Sequence, residues 1–544
     1  MLGMTRDFIK ERLLQRSLRL AQVQQRSALV QAAMAASQTY RNGLISETKS
    51  ALDEIFSVDP KQPDAQMLRG VMHYDEGSFD AAEPFLVTAV SERQNFPLAH
   101  YNLGNVYRET RRYPLAITSY QTVIEQAPRY YFAHGNLGLT YLLMGDDVQA
   151  LDYLNQAITL KPDYPEGLDN LGTLLTKQGM LAEACELFER ALSSNPMLVS
   201  GYNNLGNAMR DMGDMDGAIT QYKQAIKLNP ELAEAHNNLG LVYLLTGQFQ
   251  KGWDKYQWRH KLPDGLPPPP VNPNKPSWDG APFKDKTLYI HPEQGFGDVL
   301  QFSRYVPIVA KLGGRVIYRV SPKLVGLIDH LEGVDVVNLE TEPRPDDYDF
   351  HLSLLDIPRL LQTDQATIPG NCPYLDVDDK SVSTWSNRVG ENQGFKIGLV
   401  WAGHPKHEND RNRSIDPRLL LPLSQIPGIS LYSLQMGKEG QAGAVFGEAI
   451  TDLAPHIETF ADTAAAIKNL DLVISADTAP IHLAGAIGHP VWTLLPFTPD
   501  WRWQLGRTDS PWYPTMKLFR QPAPGDWVSV IDAIASQIKK MANA

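Results

Sequence analysis

An α-helical solenoid followed by an α/β region in two Rossmann-like parts is the fold class this sequence predicts, and three observations predict it. Six tripeptides fall in register along the first half, Leu-Arg-Gly70 and then Asn-Leu-Gly ending at Gly104, Gly138, Gly172, Gly206 and Gly240, each 34 residues after the last. Residues 262–283 then form a proline-rich run, and beyond 284 short apolar strands alternate with helical stretches. A 34-residue period is one helix-turn-helix unit, which cannot bury its apolar face alone, so copies stack into a solenoid with a continuous core and a long groove. Strand-helix alternation implies parallel sheets, with ligands held at the carboxyl ends of the strands.

In chain order, residues 1–28 read as a basic amphipathic helix, with Arg6, Lys10, Arg12, Arg16, Arg19 and Arg26 set against Asp7 and Glu11. The segment lacks the apolar core of a secretory signal; it is either a solvated cap on the solenoid or a docking element. Residues 29–261 are the repeat array. Gly43 and Pro60 keep the phase in a degenerate capping unit over 29–62. Ala82, Ala116, Ala150, Ala184 and Ala218 supply the small residue where two helices cross, and Gly77, Gly145, Gly179, Gly213 and Gly247 supply a positive φ at each turn, with Arg111 the departure. Pro128, Pro162, Pro196 and Pro230 end each second helix. Tyr120, Leu154, Phe188, Tyr222 and Tyr256 fill the stacking layer, and Gly252 to Trp258 form a closing helix whose two tryptophans cover the last repeat. These columns together resemble the tetratricopeptide repeat.

Composition excludes several classes. At 544 residues and 43% hydrophobic the chain can form several cores. No apolar run reaches the roughly 18 residues of a membrane span. A formal net charge of −12 argues against general nucleic-acid binding, which needs a basic face. Two cysteines, Cys185 and Cys372, give neither a disulfide framework nor a zinc knuckle, which fits a reducing cytoplasm.

The connector 262–283 is extended and semi-rigid, and two α/β domains follow, 284–393 and 394–544. Strands are expected at 287–291, 315–320, 334–339 and 349–354, with helices at 299–312 and 322–331; a second series falls at 396–402, 429–434, 470–476 and 490–495. Chemistry-bearing segments follow three of these strands. In His291-Pro-Glu-Gln-Gly295-Phe-Gly297-Asp298, Gly295 and Gly297 allow a tight turn, and Asp298 either caps the next helix or faces the cleft as a base. In Trp401 to Ser414, Lys406, Arg411 and Arg413 suit a diphosphate, since guanidinium groups grip phosphate oxygens in a fork; the other reading is an ordinary charged loop. In Leu470 to Pro496, a strand ends in Asp477-Thr478-Ala479-Pro480, whose helix start offers free amides to an anion, and His482 lies on the first turn. His404 and His407 lack a ligand set, so no metal site is predicted.

From about 284 to 540 these motifs resemble the heptosyltransferase-type glycosyltransferases, family nine. That resemblance implies the two-Rossmann GT-B fold, a nucleotide-sugar donor, inversion at the anomeric centre and no metal or other cofactor. It makes Asp298, in Gly-Asp-Val-Leu, the catalytic base. It makes Asp477, Thr478, Ala479 and His482 the donor motif, with Lys406, Arg411 and Arg413 at the family's phosphate-binding cation. The chain departs from the family at Thr478-Ala479-Pro480 and at Pro496-Phe-Thr-Pro-Asp500-Trp501-Arg-Trp503, so Gly295, Gly297, Asp500 and Trp501 are loop positions beside the donor and ADP-heptose specificity does not carry over.

Repeats followed by this catalytic half resemble bacterial repeat-bearing glycosyltransferases and are similar in layout to the O-linked N-acetylglucosamine transferase, whose asparagine ladder grips an acceptor polypeptide. The matching column here is Asn102, Asn136, Asn170, Asn204 and Asn238. An Asn side chain both donates and accepts, so the column either pairs with peptide groups or serves local packing. The expectation is an inverting protein O-glycosyltransferase acting on Ser or Thr of a protein held by the repeats, with flagellin the acceptor that this architecture suggests. The alternatives are a lipopolysaccharide-type heptosyltransferase using its repeats for assembly, and a catalytically silent scaffold. Donor base, sugar, acceptor and oligomeric state are left open.

Overall fold

The computed structural model describes residues 2–262, 271–338, 340, 347–390, 394–407, 409–438 and 440–542. Residues 263–270 of the proline-rich run and Leu339, the predicted end of a strand, lie outside them. Contacts divide the chain into two compact units, 1–208 and 209–544.

The first unit is helical throughout. A 40-residue helix, Leu2–Arg41, runs without a break through the predicted start of the capping unit and packs on Ile45–Val58. Helix pairs follow at the 34-residue period: Pro63–Asp75 with Phe79–Glu92, Pro97–Glu109 with Tyr113–Gln126, Tyr131–Met144 with Asp147–Leu160, and Pro165–Gln178 with Leu181–Ser194. The tripeptide glycine has a steric reason. A Cβ at Gly104 would meet the Tyr120 ring at 2.6 Å, and at Gly138 or Gly172 would meet Leu154 or Phe188 at 2.7 Å. Each turn residue takes a left-handed φ, and Arg111 does so at 58° without glycine's freedom. Each repeat proline lies two residues beyond a helix end, as Pro128 does after Gln126.

The second unit opens with Met215–Leu228, Ala233–Leu245 and Phe249–Tyr256, closed by a 3₁₀ turn at Gln257–Lys261. The two closing tryptophans face different ways. Trp258 stacks on His236 at 3.8 Å, covering the repeat as expected, whereas Trp253 donates from Nε1 to the Thr363 carbonyl at 2.8 Å in the α/β region.

Four parallel strands, β1 (Thr287–His291), β2 (Arg315–Val320), β3 (Val334–Asn338) and β4 (Phe350–Ser353), form a sheet in the order β3-β2-β1-β4. Six more form a second parallel sheet, β5 (Phe395–Val400), β6 (Ile429–Ser433), β7 (Ile450–Asp452), β8 (Leu472–Ala476), β9 (Val491–Leu495) and β10 (Met516–Arg520), in the order β10-β9-β8-β5-β6-β7. The sequence reading did not anticipate β7, β10 or the helix Asp379–Val389. The helix expected at 299–312 is instead Phe296–Phe302, a 3₁₀ turn and Val306–Ala310, because Pro307 has no N–H to continue the first ladder and starts a new one. The predicted 322–331 helix ends at Ile328. In both sheets the strand order reverses beside the first strand, between β1 and β4 and between β5 and β8. Such switch points open crevices at the carboxyl ends of the strands, and all three predicted motifs follow β1, β5 or β8. Among the described residues no helix is long and apolar enough to cross a membrane.

Candidate functional site

Asp298 is the third residue of its helix, Phe296–Phe302, and has both oxygens engaged. Gly295 N donates to Oδ2 at 2.9 Å, so the capping role is real, while Oδ1 faces the guanidinium of Arg502. Burial pushes the Asp298 carboxyl above its ordinary value, and Arg502 and the Gly295 amide oppose that shift. Gly297 must be glycine for contact: a Cβ there would lie 2.9 Å from His482 Cδ2 and 3.6 Å from Ala479 Cα. The loop after β1 thus lies directly against the helix Ala479–Ala486 that follows β8.

That helix starts with Thr478 as its cap residue and Pro480 in its first turn. Thr478 Oγ1 donates back to the Ala476 carbonyl at 3.3 Å; Pro480 has no N–H, and Ile481 N donates to the Thr478 carbonyl at 3.1 Å, so the first turn offers the Ala479 amide. Trp503 Nε1 donates to Asp477 Oδ2 at 2.8 Å. Burial and the charge of Asp500 hold the Asp477 carboxyl above the usual range, against Trp503, Arg413 and Arg502. His482 is buried, shares a 3.0 Å hydrogen bond between Nδ1 and the Tyr513 hydroxyl, and stacks on Trp503 at 5.4 Å. Burial and three nearby arginines hold its pKa well below the ordinary value, so it is neutral at pH 7.

The predicted cations separate. Arg413, 15% exposed, donates from Nη1 to the Asp477 carbonyl at 3.0 Å and from Nε to Asp410 at 3.4 Å. Gly403 permits this, since a Cβ there would sit 2.6 Å from the Arg413 guanidinium. Lys406 and Arg411 lie on the exposed side of the loop. Asp500 accepts from Arg502 Nη1 at 2.8 Å, and buried Trp501 packs edge-on to Trp253 at 5.3 Å. Sequence reasoning quoted Trp-Arg-Trp as a departure from the family but gave Arg502 and Trp503 no role. In the fold they touch Asp298 and Asp477. Their partners are more than 20 and 200 residues away in sequence, and no spacing rule reports such contacts.

The asparagine column is partly engaged within the repeats. Asn102 Nδ2 donates to the Leu98 carbonyl at 2.9 Å; Asn136 Nδ2 donates to Asn105 Oδ1 at 2.8 Å and the Tyr101 hydroxyl at 3.0 Å; Asn204 Nδ2 donates to Asp169 Oδ1 at 3.0 Å. Asn170 and Asn238 are half-buried like the other three. The column therefore joins neighbouring repeats at Asn136 and Asn204.

Residues 438–523 match glycosyltransferase family 9 (heptosyltransferase), a span that covers Asp477 to His482 and the 496–503 loop and stops short of Asp298. Residues 95–163 and 167–195 match the tetratricopeptide repeat, and 206–247 match a TPR repeat. The chain carries tetratricopeptide repeats and a glycosyltransferase family 9 domain. Protein FlbA of Caulobacter vibrioides is 28% identical over 330 residues, 55% of this chain and 54% of FlbA, so the chain spans about half the length of that relative. Among solved structures, the APC/C hetero-tetramer Cut9-Hcn1 is 18% identical over 43% of this chain and 46% of that one, with a TM-score of 0.39. YrrB, a TPR protein with an unusual peptide-binding site, is 20% identical over 34% of this chain and 95% of that one, with a TM-score of 0.27.

Within the glycosyltransferase domain a second cleft lies beside the motif loops. Trp401, Ala402, Ser414, Arg418, Lys438 and Gln441 line it at the carboxyl ends of β5 and β6, next to the Arg413 loop. Gln435 fixes its floor by accepting from the amides of Trp401 and Ala402 at 2.9 and 2.8 Å.

Proposed function

We propose that this protein is an inverting protein O-glycosyltransferase. The observation that carries the reading is the contact between the loop after β1 and the helix start after β8, which sets the Asp298 carboxylate beside the Thr478–Ala479 helix start. In this mechanism Asp298 takes the proton of an acceptor hydroxyl as that oxygen bonds to the anomeric carbon. The bond from that carbon to the diphosphate oxygen breaks with its electron pair going to the diphosphate, and a single displacement inverts the centre. The Ala479 amide at the helix start and the Arg413 guanidinium balance the leaving charge, with no metal and no cofactor besides the donor. Lys406 and Arg411 reach the donor from the loop's outer side, and the Asn column presents an extended protein acceptor, flagellin being one to test. The reaction belongs to the cytoplasm, where sugar nucleotides are made.

Calorimetry of the full chain with UDP-, ADP-, GDP- and CMP-linked sugars, then intact-mass analysis of co-expressed candidate acceptors, tests this. Asp298→Asn should cut transfer by about 100-fold or more and leave donor affinity nearly intact. Arg413→Ala should weaken the nucleotide that binds by about 1.5–3 kcal/mol. Binding of no nucleotide would favour a silent scaffold. Transfer only to a lipid-linked sugar would favour the heptosyltransferase reading, which the name of the matched family supports.

A further inference from the structure

Arg502 is held on every side. Its Nη2 lies on Asp298, Nη1 donates to Asp500 at 2.8 Å, and Nε donates to Gln301 Oε1 at 2.6 Å, with the side chain only 8% exposed. Its guanidinium sits 4.6 Å from the centroid of Trp501, and Trp501 is wedged against Trp253 and Tyr256 of the last repeat helix. Two of the three contacts, Asp298 and Gln301, come from the helix after β1, while Arg502 itself belongs to the loop after β9. The planar fork therefore joins the two sheets' loops at the Asp298 carboxylate.

We infer that Arg502 is a positioning residue for transfer, holding the Asp298 carboxylate ionised and in one orientation across the two α/β halves. The inference rests on Asp298 being the base, as proposed above. The cap needs only Oδ2, and Gly295 N supplies that bond. The other oxygen, buried with no cation beside it, would take up a proton and lose its capacity as a base, because burial favours the neutral acid. The remaining charged and titratable groups around this carboxylate are Asp500 on the Arg502 loop, Tyr256 and Arg259 from the repeat side, Glu293 on the loop after β1, and Asp477, His482 and Arg413 from the donor side. Among these, Arg502 alone touches Asp298 through a charged side chain.

The test uses the full chain with Arg502→Lys, Arg502→Gln, Asp298→Asn and the Arg502→Gln/Asp298→Asn pair. With the nucleotide sugar that wild type consumes, Arg502→Gln should lower kcat about tenfold or more, keep KM for the donor within about twofold, and move the acid limb of the pH profile upward. Arg502→Lys, which keeps the charge but not the fork, should recover part of kcat. A risen KM with kcat retained would make Arg502 a donor ligand, and an unmoved kcat and pH profile would make the pair merely structural; either overturns the inference. If wild type consumes no nucleotide sugar, the function proposed above fails, and thermal unfolding between pH 5 and pH 8 still decides the pairing. A carboxyl whose value is raised by folding makes the fold lose stability as pH climbs above the ordinary carboxyl value of 3.8, because the unfolded chain ionises first. Arg502→Gln should steepen that loss, and adding Asp298→Asn should remove the extra slope. A wild-type slope in Arg502→Gln would overturn the inference without any activity measurement. Should Arg502→Gln fail to fold by circular dichroism, Arg502→Lys carries the same readings.

Discussion

At Asp298 the cap and the proposed base are compatible, because the cap uses Oδ2 and leaves Oδ1 to face Arg502. The neighbouring Gly297 has no such latitude. Gly297→Ala would drive a methyl to 2.9 Å from the His482 ring, which is stacked on Trp503 and bonded to Tyr513 and so cannot give way. Overpacking of this kind costs about 1–3 kcal/mol. Chemical denaturation should show that loss, and transfer should fall further than stability because the base loop is displaced. Trp503→Phe removes the indole bond to Asp477, a hydrogen bond to a charged group worth about 1.5–3 kcal/mol. The Asp477 carboxyl is already raised by burial, and loss of a donor to its charged form raises it further. The variant should therefore lose more stability at pH 8 than at pH 5, read from the unfolding midpoint at each pH.

At the scale of elements, the 34-residue rhythm was legible because each column answers a local steric demand, and those demands repeat. The turn glycines show it: six take φ between 72° and 89°, and Arg111 takes 58°. Arg111→Gly should raise the unfolding free energy by about 0.5–1 kcal/mol, since a side chain in the left-handed region is strained and glycine is not. The strand ends that carry the motifs were legible for a similar reason, as an apolar run stopping at Gly-rich or Asp-Thr turns marks itself. What stayed hidden was the 496–503 loop, whose meaning lies in partners at Asp298, Asp477, Trp253 and Tyr256 that no local period connects. The asparagine column was legible as a column, yet Asn136 and Asn204 also tie neighbouring repeats. Replacing Asn136, Asn170 and Asn204 together by Ala should abolish acceptor modification and leave donor binding unchanged, at a fold cost of about 1 kcal/mol for each broken tie. Asn170→Ala alone separates the effects, because it breaks neither of those ties.

At the scale of the molecule, the last repeat shares one hydrophobic core with the α/β region: Met215, Leu244 and Trp253 belong to the same cluster as Leu288, Trp501 and Trp512. Around it, Thr498 Oγ1 donates to the Asp211 carbonyl at 3.1 Å, Gln250 Nε2 donates to the Gln362 carbonyl at 2.9 Å, and Arg259 pairs with Glu293 and Asp356 in a buried triad. A chain starting at 284 would leave Trp501 and Asp356 facing solvent or unpaired, so it should aggregate or bind a hydrophobic dye. A chain starting at 209 should unfold cooperatively and bind the same nucleotide as the full length; calorimetry of the two distinguishes them.

The anchoring of the final helices has a consequence for how such a protein can vary. Stability in a repeat array is nearly a sum of unit and neighbour terms, so a unit gained or lost costs little beyond itself. Because the Phe249–Tyr256 helix and its tryptophan pack on the 496–503 loop, a unit inserted or deleted there would break those contacts, whereas one inserted earlier in the array would leave them in place. Duplications of 34 residues should therefore be tolerated upstream of residue 208, where the array can lengthen without disturbing the contacts of the 496–503 loop.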